Sequence, residues 1–231
     1  MTWDLGRIII DQNNDLPVNW GSLSASGRVF VEIGFGNGEF LEFLAKTNPE
    51  VLVVGIEVSQ LCVAKGARRV ISAGLDNVRI MHGDARFLLR RCFTPESAER
   101  VYMNFPCPWP KTKHAARRVT VPLFADLMAY LIAPGGYFEL ATDVDWYAQE
   151  TAETFSSSPH FEADRIEKDP KRPYLTKYER KWRAMGKSTW RLVLHKRTQY
   201  TVAEIEDDGW TTEMECESKM KLEDLLAGIK D

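Results

Sequence analysis

Five short runs of strand-forming residues, at 29–33, 51–56, 78–81, 101–105 and 136–142, are each followed by a segment whose apolar residues recur at helical spacing. The helical segments fall at 39–46, 59–72, 85–91, 121–131 and 145–155, and Ser59 is placed to cap the second of them. Strands joined through helices of this length cannot pair as hairpins. They need crossover connections, which places them side by side in a parallel sheet with helices on both faces. The expected class is therefore a doubly wound, mainly parallel α/β fold. Residues 169–186 contain Pro170, Pro173 and many charges and predict a loop leading into a short helix, and 189–195 alternate like a final strand. The turn Pro134-Gly-Gly136 is expected to precede the fifth strand.

A chain of 231 residues suits one such domain with short extensions, taken as 1–27 before it, 28–197 for the domain itself and 198–231 after it. With 44% apolar and 27% charged residues, the composition excludes a disordered, collagenous or membrane-embedded chain. The net charge of −3 argues at first against a nucleic-acid partner. Its distribution argues otherwise. Beyond residue 197 ten acids face three lysines, a net −7, so the remainder carries +4. Within that remainder, residues 165–197 hold twelve lysines and arginines against three acids. An acidic tail masks a basic surface.

The cysteines at 62, 92, 107 and 216 show neither disulfide-framework nor zinc-ligand spacing, so no metal site and a reducing cytoplasm are expected. The chain has no stretch of about 18 apolar residues, and its start lacks the basic and apolar segments of a signal peptide. No membrane association is expected.

Between the first strand and first helix lies Glu32-Ile-Gly34-Phe-Gly36-Asn-Gly38. Glycines there allow backbone N–H groups to approach a ligand closely. A dinucleotide fingerprint would need a small residue where Glu39 stands, and a phosphate-binding loop would need a G-K-S/T that is missing. The segment instead resembles the glycine loop of S-adenosylmethionine (SAM) methyltransferases. A carboxylate at Glu32 would repel a pyrophosphate but complements a zwitterionic, sulfonium-bearing cofactor. Glu57 ends the second strand at the spacing where an acid accepts from ribose hydroxyls. Asp84 ends the third, where that superfamily contacts the adenine amino group. Three acids at successive strand ends beside a glycine loop mark the carboxyl edge of the sheet, where ligands of open α/β folds collect.

After the fourth strand comes Asn104-Phe-Pro-Cys-Pro-Trp-Pro-Lys111, then Thr112-Lys-His-Ala-Ala-Arg-Arg118. Thr142-Asp143 and Thr176-Lys177-Tyr178-Glu179 follow. Together these resemble the tRNA (guanine-N7) methyltransferase family, over roughly residues 28–197. The resemblance implies a Rossmann-like fold with a seven-stranded sheet and methyl transfer from SAM to guanine N7 in tRNA, at position 46 of the variable loop. It implies cofactor contacts from Glu32, Gly34, Gly36, Gly38, Glu57 and Asp84, and substrate contacts from Lys111, Asp143, Thr176, Lys177, Tyr178 and Glu179. The N7 lone pair lies in the plane of a neutral base, so attack on a methyl group needs no general base. Positioning and electrostatic stabilisation are what the enzyme must supply. Asp143 and Glu179 are expected to accept from the guanine N1–H and amino group.

One position departs from the family pattern. Cys107 stands where the family's F-P-D-P-W-P-K motif has aspartate. A neutral thiol is a weak acceptor, so Cys107 is expected to leave cofactor or guanine positioning weaker and to shift more of the catalytic role to Asp143. Two alternatives follow from Cys107: a SAM- and RNA-binding paralogue with reduced catalysis, or a cytosine-C5 enzyme using Cys107 as nucleophile. The cations Lys111, Lys113, His114, Arg117 and Arg118 are expected to hold an RNA backbone, and Tyr174, Tyr178 and Trp182 offer stacking surfaces among further cations. Trp109 is expected to anchor its loop. Arg68, Arg69, Arg90 and Arg91 are expected to be solvated helix ends, with RNA contact as the alternative, and His82 and His195 to pack without a metal. Monomer and homodimer are equally compatible with the sequence.

Overall fold

The computed structural model describes residues 8–10, 17–111 and 118–197. The tail from residue 198 and the cations Lys113, His114 and Arg117 lie outside the described residues. The elements are, in chain order, β1 (Val29–Ile33), α1 (Glu39–Thr47), β2 (Leu52–Glu57), α2 (Gln60–Ser72), β3 (Val78–His82), α3 (Ala85–Cys92), β4 (Ala98–Asn104) and α4 (Pro122–Leu131). They continue with β5 (Ile132–Thr142), α5 (Asp145–Ser157), β6 (Phe161–Ala163), β7 (Glu167–Lys168), α6 (Lys177–Ala184) and β8 (Trp190–Lys196).

The strands form one sheet in the order β3-β2-β1-β4-β5-β8-β6, with β7 also paired to β8. The first five pair in parallel and β8 runs antiparallel to β5, so the sheet is mainly parallel as expected. Counting β7 it has eight strands, one more than the seven implied. The two short strands β6 and β7 have no periodicity that marks them in the sequence. Each is a strand only because β8 offers it a partner.

Alternation along β1 divides the interior. Val29, Val31 and Ile33 face a core shared with α3, α4 and α5, whereas Phe30 faces a second core under α1 and α2. Both faces of the central strands are therefore buried, which explains their continuous apolar runs. Part of the segment before β1 packs on this framework. Trp20 is 1% exposed, stacks on Phe93 at 4.9 Å and donates to the Cys92 carbonyl at 2.9 Å, and Ile9 bridges Ile80 of β3.

β5 starts earlier than its sequence suggests. Ile132 already pairs with Ala98, and the register then jumps so that Arg100 meets Tyr137. The Pro134-Gly-Gly136 segment is thus an irregularity inside one long strand and not a turn ahead of it. Gly136 makes the close approach possible, because a Cβ there would sit 2.2 Å from the Glu99 carbonyl oxygen.

Candidate functional site

The carboxyl ends of β1, β2, β4 and β5 converge on one edge of the sheet. Chain reversal from β1 into α1 is made by Gly34, Gly36 and Gly38, all at positive φ. Gly38 is the N-cap of α1, and a Cβ on it would approach the Cα of Gly66 in α2 to 3.0 Å. Phe35, between the first two glycines, borders the cavity that opens beside this loop and packs its ring into the core. Its ring fills a slot that exists only because residues 55 and 66 lack side chains: an added Cβ would lie 2.7 Å from the ring at Gly55 and 2.5 Å at Gly66.

A cavity of about 560 Å³ opens beside this loop, lined by Glu32, Gly34 and Gly36, by Asn104 at the end of β4 and Phe105 after it, and by Thr176, Lys177 and Tyr178 at the start of α6. The sequence motifs from β1 and from α6 thus meet across one space. Glu32 is its chemical centre. The side chain is 1% exposed, its Oε1 accepts from Asn104 Nδ2 at 3.3 Å, and its Oε2 is buried with no hydrogen-bond partner. Burial pushes its carboxyl up to about 8, against the opposing pull of the Asn104 amide and the nearby Arg172 charge. A buried acceptor left open and facing a cavity is suited to a ligand that brings a cation or a donor.

The neighbouring acids sit differently. Glu57 braces the loop: its Oε2 accepts from the Gly36 N–H at 2.9 Å and its Oε1 from the Ser59 N–H at 2.8 Å. Each oxygen retains a second lone pair for a ligand hydroxyl. Asp84 follows β3 and caps α3, accepting from the Arg86 N–H at 2.8 Å and pairing with the Arg86 guanidinium at 2.5 Å. His82, two residues earlier, is buried and contacts the Val58 carbonyl oxygen through Nε2 at 2.9 Å, with burial lowering its pKa. Among the described residues no group of three or more His, Cys, Asp or Glu could hold a metal ion.

On the opposite wall, the Thr176 hydroxyl caps α6 by accepting from the Glu179 N–H at 3.2 Å, and the Lys177 N–H donates to Glu39 Oε2 at 2.9 Å. This ties α6 to α1. Tyr178 is exposed, its ring lies 5.1 Å from that of Phe105, and its hydroxyl donates to Asp143 Oδ2 at 3.3 Å. Phe105 takes a positive φ of 52° and Trp109 one of 46°, so the loop that follows β4 is held in an uncommon backbone conformation on both sides of Cys107. Cys107 and Lys111 are exposed in this loop, and neither lines the cavity. Trp109 is partly buried, its carbonyl accepts from Arg118 Nε at 3.0 Å, and Arg118 lies over the Trp146 ring at 5.4 Å.

Glu179 does not join the others. Fully buried, it pairs through Oε2 with Arg172 and through Oε1 with Arg183, each at 2.8 Å, so both oxygens are engaged away from the cavity. A base-contacting role for Glu179 does not agree with this placement. The physical reason is that α6 turns its third residue inward, toward a guanidinium from the preceding loop. Arg172, its side chain 2% exposed, also donates to Asn104 Oδ1 at 2.5 Å and approaches Glu139 Oε1 at 3.4 Å. Asn104 therefore joins Glu32 on one side to Arg172 on the other. Neither Asn104 nor Arg172 stands out by spacing or by residue type. The only sequence signal for Arg172 is its position directly before Pro173, in a basic segment where an arginine looks solvated. Tyr174 likewise packs inward, stacked on Phe43 at 4.9 Å.

Comparison with known proteins agrees with this geometry. A family profile described as "Putative methyltransferase" matches residues 26–192. A tRNA (guanine-N(7)-)-methyltransferase of Thermotoga maritima is 44% identical over 187 residues, covering 80% of this chain and 60% of that protein. The chain thus spans less than two thirds of that relative's length. A tRNA (guanine-N(7)-)-methyltransferase of Nitrosospira multiformis is 33% identical, covering 75% of this chain and 77% of the relative. Among solved structures, the aminoglycoside resistance methyltransferase NpmB1 superposes with a TM-score of 0.53 over 77% of this chain and 90% of its own, at 17% identity, a likeness of fold.

Proposed function

The chain belongs to the tRNA (guanine-N(7)-)-methyltransferase family, and from that premise we propose that it transfers a methyl group from SAM to N7 of guanosine in tRNA, at position 46 of the variable loop. The observation that carries the reading is the open Oε2 of Glu32, buried at the wall of a cavity bounded by the glycine loop on one side and by α6 on the other. When bound, SAM supplies an electrophilic methyl group on a sulfonium. Glu32 is the residue to face its aminoacyl part, because a carboxyl kept protonated by burial gains most when a cationic partner lets it ionise. Glu57 would accept from the ribose through its remaining lone pairs while holding Gly36 in place. Asp84 would present an acceptor at the end of β3.

The target base enters against the other wall. Phe105 and Tyr178 supply aromatic faces at the mouth, and Asp143 is held beside Tyr178 to accept from the guanine edge and to offset the positive charge that methylation creates. Lys177 and Lys111 are exposed for phosphate contact. No residue needs to remove a proton before attack, so catalysis rests on placing N7 in line with the methyl group.

Incubation of the protein with labelled SAM and unmodified tRNA, followed by nuclease digestion, tests this directly. The expected product is 7-methylguanosine. No product with SAM binding intact would replace the proposal with a binding-only paralogue. 5-Methylcytosine would replace it with thiolate chemistry at Cys107.

A further inference from the structure

A second concavity adjoins the first. It has a volume of about 630 Å³ and is lined by Lys46 at the end of α1, by Lys65, Arg68, Arg69 and Ser72 along α2, and by Lys177 of α6. On α2 these positions follow the i, i+3, i+4, i+7 pattern of a single helix face, about 10 Å from end to end. Among the described residues, Glu42 is the only acid in the lining. It accepts from Lys46 Nζ at 2.6 Å and from an Arg69 guanidinium nitrogen at 2.7 Å, which ties these two partly exposed cations to α1 and neutralises one charge among five. Lys65, Arg68 and Lys177 project from the rim as exposed side chains. Arg68 and Arg69 are therefore part of a built basic trough and not merely solvated helix ends.

The trough is continuous with the candidate active site. Asn37 and Lys177 line both cavities, and Arg69 Nε donates to the Asn37 carbonyl at 3.0 Å. An elongated polyanion whose reacting unit sits against Tyr178 would have its next charged units over Lys177 and then along α2. We propose that this α1–α2 trough binds the phosphodiester backbone of the RNA strand beside the target nucleotide. The inference rests on the reading of the first cavity as the methyl-transfer site, because continuity with that cavity sets the direction of the strand. Lys65 and Arg68 contact the phosphates, and the Glu42-paired Lys46 and Arg69 add positive charge beside them.

Removing a phosphate-binding cation lowers both affinity and its dependence on salt, with a slope change of roughly 0.7 to 0.9 per cation. The test compares the native chain with the double variant Lys65→Ala/Arg68→Ala, using tRNA as ligand, across about 50–200 mM salt. An exposed arginine on the opposite face of the sheet, altered as Arg91→Ala, serves as control. Expected are an affinity loss of about tenfold or more and a slope lower by about 1.5 in the double variant, with unchanged SAM affinity and neither effect in the control. The KM for tRNA should rise by the same factor. Both replaced side chains are exposed, and an unchanged unfolding midpoint confirms that the fold is retained. Native affinity and slope in the double variant would overturn the proposal. The two readings fail separately: a reduced slope in the variant without 7-methylguanosine from the native chain keeps the trough and removes the activity, whereas methylation with an unchanged slope does the reverse.

Discussion

Glu32 and Glu179 are both buried carboxylates, on either side of one amide and one guanidinium, yet they are treated in opposite ways. Glu179 receives two arginines, one on each oxygen. Glu32 receives one long contact from Asn104 and keeps an oxygen open. Burying a carboxylate is costly unless partners compensate it, so Glu179 with its two arginines is compensated inside the scaffold, whereas Glu32 is held in a state that a ligand would relieve. Burial alone therefore does not identify a functional acid. Its unmet hydrogen bonding does.

The largest effect that would break this contrast is expected at Arg172. Arg172→Met leaves Glu179 with a single partner and Glu139 and Asn104 short of theirs, and should cost about 3–5 kcal/mol of stability in denaturant unfolding, as for a buried pair with one member removed. A loss below about 1 kcal/mol would mean that the network does not hold α6 and that the two carboxylates are less different than their surroundings suggest.

Glu32 should behave in the opposite sense. Its folded pKa near 8 lies above the ordinary 4.5, so across that window the folded chain keeps a proton that the unfolded chain has released. Stability then falls as pH rises from about 4.5 and levels off above about 8. Glu32→Gln removes this component, so its gain over the native chain should grow from nothing near pH 4.5 to about 3 kcal/mol at pH 7, while SAM binding weakens. Calorimetric titration of the native chain with SAM near pH 7, in buffers of different ionisation enthalpy, should show a proton released on binding. A pH-independent difference between variant and native chain would remove Glu32 from its assigned role.

The smallest effect sharpens the contrast by adding a third carboxylate. Cys107 is exposed in the loop after β4, close to Tyr147 and Tyr178. Cys107→Asp places a charge there, and methyl transfer to tRNA should speed up by about tenfold, equivalent to roughly 1.4 kcal/mol of transition-state stabilisation. An unchanged rate would show that the thiol already suffices at that position.

The parts of the molecule that can be read from the sequence are those fixed by local periodicity and by chain order. The alternation of strands and helices gives β1 to β5 and their helices within a few residues, and the strand-end acids and glycines mark the edge where the cavity lies. The unread parts depend on partners far along the chain. Arg172 reaches Asn104 across 68 residues, and nothing in Lys171-Arg172-Pro173 distinguishes a buried guanidinium from a solvated one. β6 and β7 depend on β8, and the early start of β5 depends on Gly136 fitting against Glu99. Glu179 is recognisable as a motif residue but not as an inward-facing one, because the helix phase that buries it is set by two arginines.

Phe35 carries a consequence for how the site comes into being. Its ring is clasped between Gly55 of β2 and Gly66 of α2, so the glycine loop has no finished shape until both elements have docked on β1. The loop amides and the central core should then belong to one cooperative unit, released together and not by local fraying. A ligand held by that loop would slow the opening of the whole β1–α2 half of the domain, so cofactor occupancy would govern how long this protein survives in a protease-rich cell.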